Sequence, residues 1–411
     1  MFHTKRKEST VKMSLELSRK ATQVKPSSTL VITAKAKAMK AEGIDIVGFG
    51  AGEPDFDTPE NIKDAAKKAL DDGFTKYTPA PGTVELKEAV CKKFKERNNL
   101  DYAPNQIVIS NGGKHSLCNV FQAILNPGDE VIIPAPYWLT YPETVKLCDG
   151  TPVYIKTDAS TGYKATAEQI AAACTENTKA LILCTPSNPT GMVYTKDELE
   201  AIAKVAIEKD FYVVADEMYE YLVYDGAEHV SIGSLGDEIY KRTITCSGLS
   251  KSYAMTGWRL GFTGTPVEIA KVMGSIQSHQ TSNVNSITQK AALEALTGPQ
   301  EEVEEMRKSF ERRRNLMGDL LSEMKYVKFV KPQGAFYYFV DLSDAFGKEY
   351  KGKKIESAAD AAAILIEDYH VVIVPCADFG APECFRLSYA ISDDDIKKGL
   401  GRLSQFLDDL E

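Results

Sequence analysis

Paired cysteines, histidine, tryptophan, long apolar runs and an excess of positive charge are all scarce in this 411-residue chain. The eight cysteines (91, 118, 148, 174, 184, 246, 376 and 384) are scattered singly, with no Cys-x-x-Cys. That excludes a disulfide scaffold and a structural zinc site. No stretch approaches the roughly 20 apolar residues of a membrane helix. Subtracting 58 acidic from 49 basic side chains gives a net charge of −9. A protein held to nucleic acid or anionic lipid by its overall charge is thereby excluded, although a local anion site is not. The N-terminus, MFHTKRKESTVKM, is basic but lacks the hydrophobic run of a secretory signal, and Glu8 and Glu16 break the pattern of an organellar presequence. Residues 1–24 read as an N-terminal extension, and the expected location is the cytoplasm. The length and the 43% hydrophobic content suit a globular chain with a sizeable core and two or three domains.

What is present is an alternation of short apolar runs with amphipathic ones. Strands are predicted at 106–110 (QIVIS), 130–133 (EVII), 153–156 (VYIK), 180–184 (ALILC) and 211–216 (FYVVAD). TPENIKDAAKKALDDG reads as a helix with Thr58 as its cap, Pro59 in the first turn and Gly73 just past its end. Residues 196–209 form a second helical pattern. Strands joined by helices imply an α/β unit with a mostly parallel sheet over about 61–299. After about residue 300 come a long charged helix, the strand-like VKFVK and AFYYFVDL, an alanine-rich helix, VVIV, CFRLSYA and a closing amphipathic helix. Residues 25–60 and 300–411 are therefore expected to build a smaller α+β domain.

Two nucleotide motifs nearly match. GFGAG at 48–52 lacks the further glycine of the dinucleotide fingerprint, because Glu53, Pro54 and Asp55 follow. A nicotinamide dehydrogenase is excluded on that context. GGKHS at 112–116 ends like a P-loop, but Val108 stands where the first glycine is required. What survives is a strand–glycine turn–helix segment, IVISNGGKHSLCNVF, whose amides and helix end suit an anion.

GLSKSYAMTGWRLG (248–261) sets Lys251 among small and aromatic residues, with Arg259 eight positions on. A lysine so placed is suited to Schiff-base chemistry and proton transfer, and an arginine to a phosphate. Asp216 ends a very apolar strand, where α/β proteins bind ligands. It is equally suited to cap a helix. Asn188 lies in the turn TPSNPTG.

Together these residues resemble the pyridoxal-phosphate aminotransferases of fold type I, class I. AGEPDFDTP, KYTPAPG, SNGGKHS, PYWLTYPE, SNPTG, DEMYEYLVYDG, the lysine signature and FRLSYA occur in the family's order over about residues 25–390. The branch of bacterial-type aspartate aminotransferases, some of which also take prephenate, is the most similar. The resemblance implies that Lys251 carries pyridoxal 5'-phosphate as a Schiff base and moves the proton. It implies that Asp216 keeps the pyridine nitrogen protonated, that Tyr219 and Asn188 bond the ring oxygen, and that Trp138 stacks on the ring. Gly112, Gly113, the Lys114 backbone and Arg259 are implied to hold the phosphate, with Tyr77 reaching from the partner subunit of a homodimer. Arg386 is implied to take the substrate α-carboxylate, with the Gly52 amide and Asn188. Gly248 departs from relatives that place a serine there, so that phosphate contact falls to Ser247 or Ser250, or is lost.

No arginine occurs in 274–290, where animal-type aspartate enzymes grip the distal carboxylate. In the bacterial-type branch the side chain matching Lys114 does so, and Lys25 and Thr29 match positions facing the same end of the substrate. The expected activity is transfer of the amino group of aspartate to 2-oxoglutarate by a ping-pong mechanism, without a metal. Aromatic, alanine-type or prephenate transamination, or C–S lysis, is the alternative on the same scaffold. A regulator fused to a DNA-binding module is excluded, since about 25 residues before the first motif are too few for one.

Overall fold

A computed structural model describes residues 17–18, 20–26 and 28–411, with Leu30 and Thr33 described by backbone alone. The expectation for the first 16 residues lies outside that set. The strands, in chain order, are β1 Val47–Gly48, β2 Ile107–Ser110, β3 Glu130–Ala135, β4 Thr151–Lys156, β5 Thr178–Cys184, β6 Tyr212–Asp216, β7 Thr243–Gly248 and β8 Gly261–Gly264. Strands β2 to β8 form one seven-stranded sheet in the order β2-β8-β7-β6-β5-β3-β4. Neighbours from β7 to β4 run parallel, and β8 is antiparallel to both β7 and β2. The mostly parallel sheet expected from the sequence is thus observed.

Its strands are apolar on both faces because helices cover both. Val131, Ile133 and Ile182 pack with Leu117, Phe121 and Met273 on one side. The alternate residues Ile132, Leu181 and Leu183 pack with Leu199, Ile202 and Ala206 on the other. Two strands of this sheet escaped the sequence reading. TITCSG (β7) is divided between polar threonines and apolar residues, and GFTG (β8) is half glycine, so neither gives a continuous apolar run.

Beyond the long helix Glu301–Ser322 lie β9 Lys328–Phe329, β10 Tyr337–Asp341, the hairpin β11 Glu349–Tyr350 and β12 Lys353–Lys354, β13 Val371–Val372, β14 Val374–Pro375 and β15 Cys384–Ser388. A four-stranded antiparallel sheet has the order β14-β15-β10-β9, and β1 pairs with β13. The helix Lys196–Lys209 stands where predicted, closed by a Thr195–Glu198 capping box.

One helix start differs from expectation. The helix Glu60–Asp71 is preceded by Pro59 at its cap, without a side-chain cap bond. The Thr58 hydroxyl instead donates to the Ala254 carbonyl (2.7 Å) and accepts the Trp258 indole N–H (3.0 Å). Thr58 therefore ties the helix start to the loop that carries Lys251. Among the described residues no helix is long and apolar enough to cross a membrane.

Candidate active site

Because β8 is antiparallel, its beginning lies at the same sheet edge as the carboxyl ends of β2, β3, β5, β6 and β7. That edge is where open α/β sheets take ligands. The residues just beyond those strand ends supply Gly112, Gly113 and Lys114, then Trp138, Asn188, Asp216, Tyr219 and Lys251, and Arg259 stands two residues before β8. β15 and β10 add Arg386 and Tyr337 from the second sheet. Apart from Gly112, these residues, with Gly52 and Thr29, border one cleft of about 360 Å³, within the range of small-molecule sites.

Lys251 donates from Nζ to the Gly52 carbonyl. Burial, and then the positive charges of Arg386 and Arg259, push its ammonium down to about 8, while Glu53 and Asp216 pull the other way. A buried cation is costly to keep, so the amine yields its proton more readily than a surface lysine.

Asp216 is buried, and its Oδ2 accepts from the Tyr141 hydroxyl (2.7 Å) while Oδ1 accepts from the Met218 N–H (3.3 Å). Burial raises its carboxyl above the usual range in spite of these bonds. Among the described residues no cation lies at ion-pair distance from it. The environment therefore suits a ligand that brings a positive charge. The helix-cap role weighed from sequence does not apply, since the residues after Asp216 form turns.

Arg386 is 2% exposed and pairs through its strand with Phe339 and Val374, in the middle of the small sheet. Its Nη1 donates to Asn188 Oδ1 (2.9 Å) and Nη2 to the Gly50 carbonyl (3.3 Å), while Nε has no partner among the described residues. The Tyr337 ring lies against the guanidinium at 4.2 Å. A buried fork answered only by neutral oxygens is suited to a carboxylate.

At the other end, Gly112 has φ +86°, and a Cβ there would collide with the Arg259 guanidinium. A Cβ on Gly261 would strike the Gly112–Gly113 backbone at 2.8 Å. Both glycines let the arginine, the turn and the start of the helix Gly113–Ile124 come together. Lys114 Nζ lies 5.0 Å from the centre of the Trp138 ring, and burial with the Arg259 charge lowers its ammonium.

Tyr77 is 90% exposed and Lys25 is also exposed, and neither borders the cleft. The Lys25 backbone N–H donates to Glu143 Oε2. Of the two serines left by Gly248, Ser247 is fully buried and donates to Glu220, so only Ser250 faces the cleft. Sequence reasoning missed Tyr141 and Tyr337. Tyr337 shares a 2.8 Å hydrogen bond with the Tyr219 hydroxyl. Tyr337 and Tyr338 are both buried, and the uniformly apolar run AFYYFVDL does not say which of them borders the cleft. Lys37, on the helix Ser28–Ala41, also borders the cleft and was not anticipated.

This arrangement, a lysine of lowered basicity in one cleft with Arg386 and Arg259 at the edge of a mostly parallel sheet, belongs to a transferase. The chain is a member of the aminotransferase class I and II family, whose profile matches residues 44–403. It is 50% identical over 382 residues to an aspartate aminotransferase of Bacillus sp. (strain YM-2), covering 93% of this chain and 96% of that one. An aspartate/prephenate aminotransferase of Cereibacter sphaeroides is 48% identical over 386 residues, with the same shares of each chain. The crystal structure of the aspartate aminotransferase from Rhizobium meliloti superposes with a TM-score of 0.93 at 42% identity, covering 97% of this chain and all of that one. The fold is the fold type I expected from the sequence.

Proposed function

We propose that the protein is a pyridoxal-phosphate-dependent aspartate:2-oxoglutarate aminotransferase that works in two half-reactions as a homodimer with shared sites. The observation that carries this is the Lys251 amine, its charge weakened by burial, in one cleft with the buried Asp216 and Arg386. The names of the relatives support aspartate over the aromatic, alanine-type and lyase alternatives.

The residues present fit the cofactor. Lys251 Nζ would attach it, Gly112, Gly113, Arg259 and Ser250 would receive its phosphate, and Trp138, Asn188 and Tyr219 would border its ring. When bound, pyridoxal phosphate supplies an electron sink for the charge released at the substrate α-carbon. Asp216, a buried carboxylate without a cationic partner at bonding distance among the described residues, holds a proton at the ring nitrogen. Lys251 takes the α-proton on Nζ and returns it, a role its lowered basicity serves. Arg386, already oriented by Asn188 and Gly50, accepts the α-carboxylate as a bidentate fork. Lys114, its Nζ over the Trp138 ring, reaches the distal carboxylate and so selects a four- or five-carbon dicarboxylic acid.

The purified holoenzyme is expected to lose its visible band on adding aspartate or glutamate and to recover it with 2-oxoglutarate. Alanine and phenylalanine serve as competing donors, and pyruvate, phenylpyruvate and prephenate as competing acceptors. Bleaching by alanine or phenylalanine at rates above aspartate would overturn the substrate assignment. Lys114→Ala should cut the rate with aspartate by about tenfold or more while sparing alanine, since one charge-assisted contact is lost.

A further inference from the structure

Residues 216–220 face two ways. Asp216 and Tyr219 border the cleft, whereas Glu217 and Glu220 enter a buried polar cluster. Glu220 is ion-paired with Lys93, accepts from Ser247 Oγ (2.6 Å) on one oxygen and accepts from Asn98 Nδ2 (2.8 Å) on the other. Burial would raise its carboxyl, but the Lys93 and His229 charges and the Lys93 and Ser247 bonds bring it down to about 2. Glu217 has no exposed surface; its Oε2 accepts from Ser231 Oγ (2.6 Å), Asn98 Nδ2 (3.0 Å) and His229 Nε2 (3.0 Å). Among the described residues its other oxygen, Oε1, has no partner, and neither has His229 Nδ1.

Glu217, Glu220 and His229 offer ligand atoms within 4.8 Å of one another, as a metal triad would. Lys93 already brings the positive charge to Glu220, and Asn98 donates to both carboxylates, so the cluster is read as a hydrogen-bonded anchor instead. A buried carboxylate with one oxygen unanswered is expensive to maintain. Its place one residue after Asp216 gives a reason for it to be there.

Resting on the cofactor reading above, we propose that Glu217 is a positioning residue for the cofactor ring. Its carboxylate pins the 216–220 turn from behind through Ser231, Asn98 and His229, and adds a second negative charge behind Asp216 that favours a protonated ring nitrogen. The Glu217 charge does act on Asp216, adding to the rise that burial gives its carboxyl. The charged or titratable groups that interact with Glu217 are Lys93 from the helix Val84–Asn98, Tyr102 just after it, Cys246 from β7, His229 from the following loop, and Asp216 and Glu220 from its own turn.

The test uses the holoenzyme and the cofactor-free protein of Glu217→Gln and His229→Asn, with Leu403→Ala, a core change in the helix Asp393–Asp408, as a control of lowered stability. Two readouts are followed: the pH midpoint of the visible band, and amide exchange at Met218 and Tyr219 in the cofactor-free protein. Removing a nearby negative charge disfavours the protonated chromophore, so Glu217→Gln should lower the midpoint by about 0.5 unit. Both cluster variants should speed exchange at those two amides by about tenfold or more, since anchoring bonds are lost. Unchanged midpoint and exchange, or changes matched by Leu403→Ala at equal loss of thermal stability, would overturn the proposal. Failure of the unsubstituted protein to develop a visible band with pyridoxal phosphate would instead remove the cofactor reading; unchanged exchange in the variants would then still refute the anchor.

Discussion

Lys251 and Arg386 are both cations inside one cleft, and the structure treats them differently. Arg386 keeps its charge whatever the surroundings, because guanidinium does not deprotonate in proteins. Lys251 can shed its proton and does so more easily, with its ammonium lowered from 10.5 to about 8. Only the neutral amine attacks a carbonyl. The rate at which the cofactor-free protein takes up pyridoxal phosphate covalently should therefore climb about tenfold from pH 7 to pH 8.5 and level off above it, as followed by stopped-flow absorbance. A rise that continues to pH 10 would contradict the lowered value. The same shift has a stability consequence with a definite sign. Between about pH 8 and 10.5 the unfolded chain holds a proton at this lysine that the folded one has released, so the contribution of Lys251 to stability grows with pH across that window. For Arg386, the substitution Arg386→Lys keeps the charge but loses the fork that Asn188 and Gly50 orient. A drop in kcat/KM of about 30-fold or more is expected, with little change in the cofactor spectrum.

The element that brings the most residues to the site is the loop between β7 and β8. Its signature reads as a local motif, yet each of its unusual residues answers to something far off in sequence. Trp258 bonds Thr58, Arg259 lies against Gly112, and Gly261 makes room for the start of the helix Gly113–Ile124. Arg259 itself adopts a left-handed backbone at φ +55°, which a non-glycine residue holds only when its neighbours fix it. Gly261→Ala must move the Gly112–Gly113 backbone by several tenths of an ångström or more. It should raise the dissociation constant of pyridoxal phosphate by more than tenfold in equilibrium dialysis. It should also cost about 1–3 kcal/mol of stability, as overpacking does. Affinity equal to the original would show that the turn does not hold the phosphate. Thr58 shows the reverse relation between sequence and element. Its local context spells a helix cap, and a distant carbonyl and indole outbid that role.

For the whole molecule, the net charge of −9 has to coexist with anionic ligands. Arg386 and Lys251 escape the surrounding acidic surface by being enclosed, where charges at close range outweigh a screened surface field. Lys114 and Arg259 line the same cleft. Tyr77 lies 90% exposed, away from the cleft. If it holds the phosphate across the interface, Tyr77→Phe will weaken cofactor affinity by about three- to tenfold, as loss of one hydrogen bond to a charged group does. Sedimentation should still report a dimer, and affinity equal to the unsubstituted protein would take Tyr77 out of the site.

By itself the sequence determined the alternating α/β pattern, the long helix Glu301–Ser322 and most of the residues that meet at the cleft, because these rest on local periodicity and on motifs of few residues. It could not locate β7 and β8, whose threonine and glycine residues make sense only between neighbouring strands. Nor could it choose between Ser247 and Ser250, since alternate residues leaving a strand point to opposite sides and only the packing says which side is the cleft. Tyr141, Tyr337 and the cluster behind Asp216 were equally out of reach. Helix 84–98, the strand end at 216 and the loop at 229–231 lie far apart along the chain, and tertiary packing alone lets them share buried hydrogen bonds.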